Sequence, residues 1–252
     1  MAGLMGIQVP DIRKARRVLA VQPHYDDNDI SAGGTLAALA KGGAELYYLT
    51  MSDDMVGVID ETWSDEEATR RLQDDSARAG EIIGVTQHFW LDYPDAGEYN
   101  YFDVRRDIIK HIRMVRPDII VTMDPWMLYE AHTDHVMASR ATVEAAILYG
   151  LPRLKSDPEV DKVYEPHPLQ AVVLHATSYP NTVFDISGTI EKKNAAIRCY
   201  KSQFHESDFD GLVQRTMAYT AYLARDEAFE YGEALKIVPP GLLHGVGETV
   251  RF

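Results

Sequence analysis

The side chains best equipped for chemistry are an imidazole and two adjacent carboxylates in the run Pro23-His24-Tyr25-Asp26-Asp27. They follow directly on residues 17–21, an apolar stretch that reads as a buried strand. A second polar run, Glu130-Ala131-His132-Thr133-Asp134-His135, follows another apolar stretch at 118–123, so both runs could occupy one edge of one sheet. A catalytic zinc takes about three protein ligands and leaves a position for water, and two histidines with one carboxylate are a known set. A carboxylate left over beside them is a base for the attacking water. Together the two runs imply a zinc-dependent hydrolase.

Adjacent residues on an extended chain point in different directions, so Asp26 and Asp27 do not both ligate one ion. One joins His24 as ligand and the other is free as base, and spacing alone does not choose between them. His132 and His135, three apart, share a face of a first helical turn. One can ligate while the other stabilises an oxyanion or protonates a leaving amine. Asp134 between them is placed to orient an imidazole. Gly33 and Gly34 are expected to open a helix after the first run and to let backbone approach a ligand. His88, His111, His167, His175 and His205 are scattered and read as structural or exposed.

These runs need elements to hold them. Apolar stretches at 17–21, 45–50, 87–91 and 118–123 alternate with helical patterns at 33–41, 65–84 and 103–116. That alternation predicts repeated βαβ units, a doubly wound α/β sandwich with ligands at the carboxyl ends of the strands. A helix is expected from 137 to 149, then a polar stretch to 168 with no evident chemistry. Strands follow at 171–175 and 181–186, and helices at 189–200 and 211–228. Residues 231–244 read as an edge strand broken by Pro239-Pro240, which leaves His244 on a loop. No repeat or linker divides the chain, so residues 1–252 are expected to form a single domain.

A formal charge of −14 argues against a grip on phosphate backbones, so no nucleic-acid partner is expected. Cys199 is the only cysteine, which excludes an intrachain disulfide and a cysteine-based zinc site. The first ten residues lack a leader pattern, and no stretch approaches the apolar length of a membrane span. The expectation is a soluble cytoplasmic protein with no membrane partner.

At these motifs the chain resembles the PIG-L or LmbE-like family of zinc-dependent N-acetylglucosaminyl deacetylases, whose motifs are Pro-His-Pro-Asp-Asp and His-Pro-Asp-His. It is most similar to the diacetylchitobiose deacetylase branch. The likeness extends to Gly33-Gly34-Thr35-Leu36, Thr50-Met51-Ser52-Asp53, Asp124-Pro125-Trp126 with Tyr129-Glu130, Lys201-Ser202-Gln203-Phe204 and Tyr231-Gly232-Glu233. The resemblance implies a Rossmann-like three-layer αβα sandwich with a mainly parallel sheet. It also implies zinc held by His24, Asp27 and His135, with Asp26 as general base and His132 as polarising or acid group. Arg71, Asp95 and the Asp53 loop would meet the amino-sugar substrate. His244 would join the catalytic site, in its own or a neighbouring subunit of a homo-oligomer, a hexamer in that branch. Tyr25 and Thr133 stand where the motifs have proline, which would loosen the turns. Asn28-Asp29 replaces a frequent glutamate, and the loop at Asp54-Met55 also departs. The expected reaction is removal of the N-acetyl group from a GlcNAc-type sugar. The rivals are a zinc amidase for another N-acyl or thiol-conjugate amide, and a non-catalytic sugar-binding module.

Overall fold

The computed structural model describes residues 6–252. Residues 1–5, half of the segment read as lacking a leader, lie outside it. Seven strands form the central sheet: β1 (Arg17–Gln22), β2 (Glu45–Ser52), β3 (Val85–Tyr93), β4 (Ile119–Met123), β5 (Ala171–His175), β6 (Thr182–Asp185) and β7 (Gly232–Val238). Their spatial order is β3-β2-β1-β4-β5-β7-β6. The first five are parallel, whereas β7 runs antiparallel to both β5 and β6. From β1 the chain winds outward through β2 and β3, then returns to place β4 on the other side of β1. The crevice beyond β1 and β4 is therefore the switch point at which such sheets bind ligands.

The helices are α1 (Asp27–Lys41), α2 (Asp65–Ile83), α3 (Tyr101–Val115), α4 (Thr133–Leu148), α5 (Pro158–Val163), α6 (Ile190–Ile197) and α7 (Phe209–Leu223). They cover both faces of the sheet, which explains why the central strands are apolar throughout. In β1, Val18 and Ala20 enter the core beneath α1 and α2, while Leu19 and Val21 enter the core beneath α3 and α4. Each fully buried Val or Leu contributes about 1.5–3 kcal/mol. This architecture is the mainly parallel αβα sandwich expected.

Several elements differ from expectation: α4 begins at Thr133 rather than 137, α5 forms within the polar stretch, and α1 and β7 differ most. α1 begins at Asp27 rather than near Gly33, so both glycines lie inside the helix. A Cβ on Gly34 would meet Ile186 Cδ1 at 2.7 Å, so this glycine serves close packing of α1 rather than approach to a ligand. β7 is an interior strand, and β6 forms that edge. Pro239 and Pro240 lie beyond the last residue of β7, where they remove no ladder hydrogen bond.

Candidate active site

Each polar run leaves a strand at the carboxyl edge and enters a helix. The turn after β1 is held through the backbone of Tyr25. Its N–H donates to Asp54 Oδ2 at 3.1 Å, and its carbonyl accepts from Gln22 Nε2 at 3.0 Å and Tyr200 OH at 2.9 Å. The Tyr25 ring is buried in the core beneath α1. The turn is thus held by hydrogen bonds and packing where the motif uses proline, and it is not loosened. After β4, His132 is the N-cap of α4, its Nδ1 accepting from the Asp134 N–H at 3.3 Å. That bond leaves the ring proton on Nε2, so neutral His132 is a donor there.

The structure brings His24, Asp27 and His135 together. His24 Nδ1 lies 3.2 Å from Asp27 Oδ2 and 3.2 Å from His135 Nε2, and His135 Nε2 lies 3.5 Å from Asp27 Oδ1. Ligands about 2.0–2.2 Å from a tetrahedral zinc stand about 3.3–3.5 Å apart, so this donor set fits such an ion. The far nitrogens are occupied: His24 Nε2 meets Asp95 Oδ1 at 3.2 Å, and His135 Nδ1 meets Glu130 Oε2 at 3.1 Å. Donation to those carboxylates leaves a lone pair on each inner nitrogen, the arrangement metal-binding histidines use. His132 also comes within 4.8 Å of both histidines. Its Nδ1 already accepts from Asp134, which makes it the poorer ligand.

Charge in the cluster is unevenly distributed. Burial would lower the pKa of His24, but Asp27, Asp54 and Asp95 outweigh it and raise it to about 10. The surroundings thus favour positive charge where a cation would lie. Burial and the Asp27 charge push Asp26 well above the usual carboxylate range. Asp27 moves the other way, because contacts with His24 and His135 overcome its burial. Asp26 accepts no side-chain hydrogen bond among the described residues, whereas Asp27 is engaged by both histidines.

The other expected residues are placed less uniformly. Asp134 is buried, accepts from Ala96 N at 2.8 Å and from the Tyr99 hydroxyl, and lies 3.6 Å from His24 Nε2. The imidazole it faces is therefore that of His24. Both oxygens of Asp95 are engaged, one by His24 and the other by Val56 N at 2.9 Å. This places Asp95 behind His24, as a partner of its imidazole. Asp53 Oδ1 accepts from Met55 N and Asp95 N, tying the loops after β2 and β3 together. Arg71, half-exposed on α2, pairs with Glu67 at 2.8 Å and stacks over Trp63, and among the described residues no hydrogen bond or ion pair joins it to the cluster. His244 borders the last turn of α4 with Ala146 and Leu148, at the opposite end of that helix from His132. It is not brought to the cluster of its own chain.

Two residues of the cluster had no role assigned from sequence. Glu130 fixes His135 and also accepts from His132 N at 2.7 Å. Asp54 holds the Tyr25 turn and Gln203, and burial raises its pKa to about 7. Its position was readable, since Asp53-Asp54 follows β2 as Asp26-Asp27 follows β1.

The family model of the GlcNAc-PI de-N-acetylases, PIG-L, matches residues 19–146, which span both ligand runs. The chain belongs to the PIG-L family. A diacetylchitobiose deacetylase of Thermococcus kodakarensis is 33% identical, the match covering 91% of this chain and 85% of that one. A 1D-myo-inositol 2-acetamido-2-deoxy-alpha-D-glucopyranoside deacetylase of Mycobacteroides abscessus is 27% identical over 77% of this chain and 83% of the relative. Among solved structures, the N,N'-diacetylchitobiose deacetylase of Pyrococcus horikoshii superposes with a TM-score of 0.88 at 30% identity, covering 96% of this chain and 90% of the other. As a member of this family the chain is a hydrolase of the deacetylase class. No helix among the described residues is long and apolar enough to cross a membrane.

Proposed function

We propose that the protein is a zinc-dependent N-deacetylase that removes the acetyl group from a GlcNAc-type sugar, releasing acetate and a free amine. The observation that carries this reading is the triangle of His24 Nδ1, Asp27 oxygen and His135 Nε2, with sides of 3.2–3.5 Å, beside the unengaged carboxylate of Asp26. Bound by those three residues, zinc would supply a Lewis acid that polarises the acetamide carbonyl and acidifies the attacking water. Asp26 takes the proton of that water, and its raised proton affinity lets it hold the proton and return it to the departing nitrogen. His132 donates from Nε2 to the acetamide oxygen as negative charge builds there. Asp134 sets the His132 tautomer through its backbone N–H, while Glu130 and Asp95 hold the rings of His135 and His24.

Arg71 and Asp53 belong to the rim of this site in the same reading. Arg71 reaches the sugar only by leaving Glu67, and Asp53 acts through the loop it orders. The position of His244 at the far end of α4 supports a contribution from a neighbouring copy, hence a homo-oligomer such as a hexamer. The single cysteine supports a cytoplasmic setting.

Acetate release from N-acetylglucosamine and N,N'-diacetylchitobiose, measured with and without a chelator, tests the function. Turnover that stops on metal removal and returns with zinc is expected. Turnover indifferent to the chelator would remove the metal from the mechanism, and no acetate from any acetamido sugar would refute the substrate class. A His135→Ala variant is expected to lose both bound zinc and activity.

A further inference from the structure

A cavity of about 390 Å³, within the range of small-molecule sites, lies where β5 and β7 meet the C-terminal segment. Leu174 of β5 and Val238 of β7 form one wall, and Leu242, Val246 and Val250, from the segment after β7, form the cover. That cover is fastened down: Thr249 Oγ1 donates to Leu242 O at 2.5 Å, and Phe252 packs with Val238 and Leu242. Trp126 and Tyr179 also line the cavity while remaining about half-exposed, which places them at its mouth. None of the groups assigned to the chemistry lines it, neither His24, Asp27 and His135 nor Asp26 and His132. It is a separate and mostly apolar compartment.

One buried cation interrupts the apolar lining. Lys236, in register with Leu174 across β5 and β7, is 6% exposed, and its ammonium donates to a single carbonyl, Val250 O at 3.2 Å. Two of its three donors take no protein partner, and it forms no ion pair among the described residues. Asp124 lines the same cavity and acts on Lys236 through its charge, but it stands beyond ion-pair distance. Its oxygens are engaged instead by Trp126 N at 2.8 Å and Thr177 Oγ1 at 2.6 Å. A buried charge without a partner is costly, and burial accordingly lowers the Lys236 pKa. The chemistry of the compartment narrows its ligand. A cation is repelled by Lys236, and a polyol or a phosphate sets polar oxygens against apolar walls that cannot satisfy them. A single carboxylate on an apolar body satisfies both the ammonium and the walls.

We propose that this cavity is a second ligand site, for a small monocarboxylate with an apolar body, its carboxylate on Lys236 Nζ and its body between Leu174, Val238 and Leu242. The site does not depend on the deacetylase reading. Its test is calorimetric titration of the protein with benzoate and with benzamide, the neutral isostere, each with and without a chelator. The chelator separates the cavity from the metal cluster, where a carboxylate would bind only to zinc. Chelator-insensitive binding of one equivalent of benzoate is expected, about tenfold or more tighter than benzamide, as a charge-assisted hydrogen bond gives. Lys236→Met, which keeps the apolar stem, should erase that preference, with its urea midpoint as the check on folding. Val250→Trp, on a half-exposed residue of the cover, should fill the cavity and abolish binding of both compounds, and it decides alone if Lys236→Met does not fold. Equal binding of benzoate and benzamide, binding of neither, loss of all benzoate binding with the chelator, or a preference that survives these variants overturns the site.

Discussion

Asp26 and Asp27 are chemically identical neighbours that the fold drives apart in proton affinity. Asp27 faces two imidazole nitrogens, which stabilise its charge, whereas Asp26 is buried beside that charge, and its own backbone N–H and the nearby His24 do not offset this. Pairs of carboxylates separated in this way divide into acid–base and ligand roles. Asp26→Asn is therefore expected to retain stoichiometric zinc and lose activity by about 10²–10⁴-fold, checked by metal analysis beside acetate release. Loss of zinc with activity would move Asp26 into the ligand set. Glu130 predicts the opposite pattern, because it touches His135 Nδ1 and not the reacting atoms. Glu130→Gln should weaken zinc binding about 10–100-fold, with activity recovered at excess zinc. The histidines and aspartates of both runs were legible from their types and from their place after strands. Glu130 was not, since a glutamate five residues from a histidine acquires its role only when the turn into α4 folds back on itself.

At the scale of elements, strands were easier to read than helix starts. Buried parallel strands such as β1 and β4 announce themselves as apolar runs, but the start of α1, Asp27-Asn28-Asp29, is polar and resembles a loop. These residues are buried because tertiary partners satisfy them: Asn28 N donates to Gln22 Oε1 at 3.0 Å, and Tyr48 and Tyr200 both donate to the Asp29 carboxylate. The tyrosines are 19 and 171 residues away in sequence and Gln22 lies in the preceding strand, so periodicity could not reveal them. The glycines of α1 follow from the same misplacement and offer a paired test. A Cβ on Gly34 meets Ile186 at 2.7–2.8 Å, whereas one on Gly33 meets nothing closer than Lys193 Cγ, at 3.4 Å. Gly34→Ala should cost about 1–3 kcal/mol through overpacking. Gly33→Ala should be neutral or gain up to about 1 kcal/mol from helix propensity. Urea unfolding of the two variants decides it. Equal effects would mean that α1 does not pack on Ile186 as described.

For the whole molecule, the site lies where the winding of the sheet reverses, between β1 and β4, so its geometry depends on global folding and is lost with it. Acid should unfold the protein partly through buried histidines outside the donor triangle. Burial lowers the pKa of His88 in β3 and of His175 in β5 to about 4, against 6.5 for an unperturbed imidazole. Between those values the unfolded chain binds more protons than the folded one. Stability from keeping each ring neutral is thus complete above pH 6.5 and is lost as pH falls toward about 4. Asp29, raised to about 6 by burial, contributes with the opposite sign, because its protonation relieves a buried charge as pH falls. The net curve mixes these terms, but the difference between the parent and His88→Gln isolates one of them. The stability of the parent relative to this variant should fall by about 2–3 kcal/mol between pH 7 and pH 4, read from urea midpoints across that range. Parallel curves for the two proteins would show that His88 accepts a proton without leaving the folded state, and the acid sensitivity would then have to arise elsewhere in the sheet.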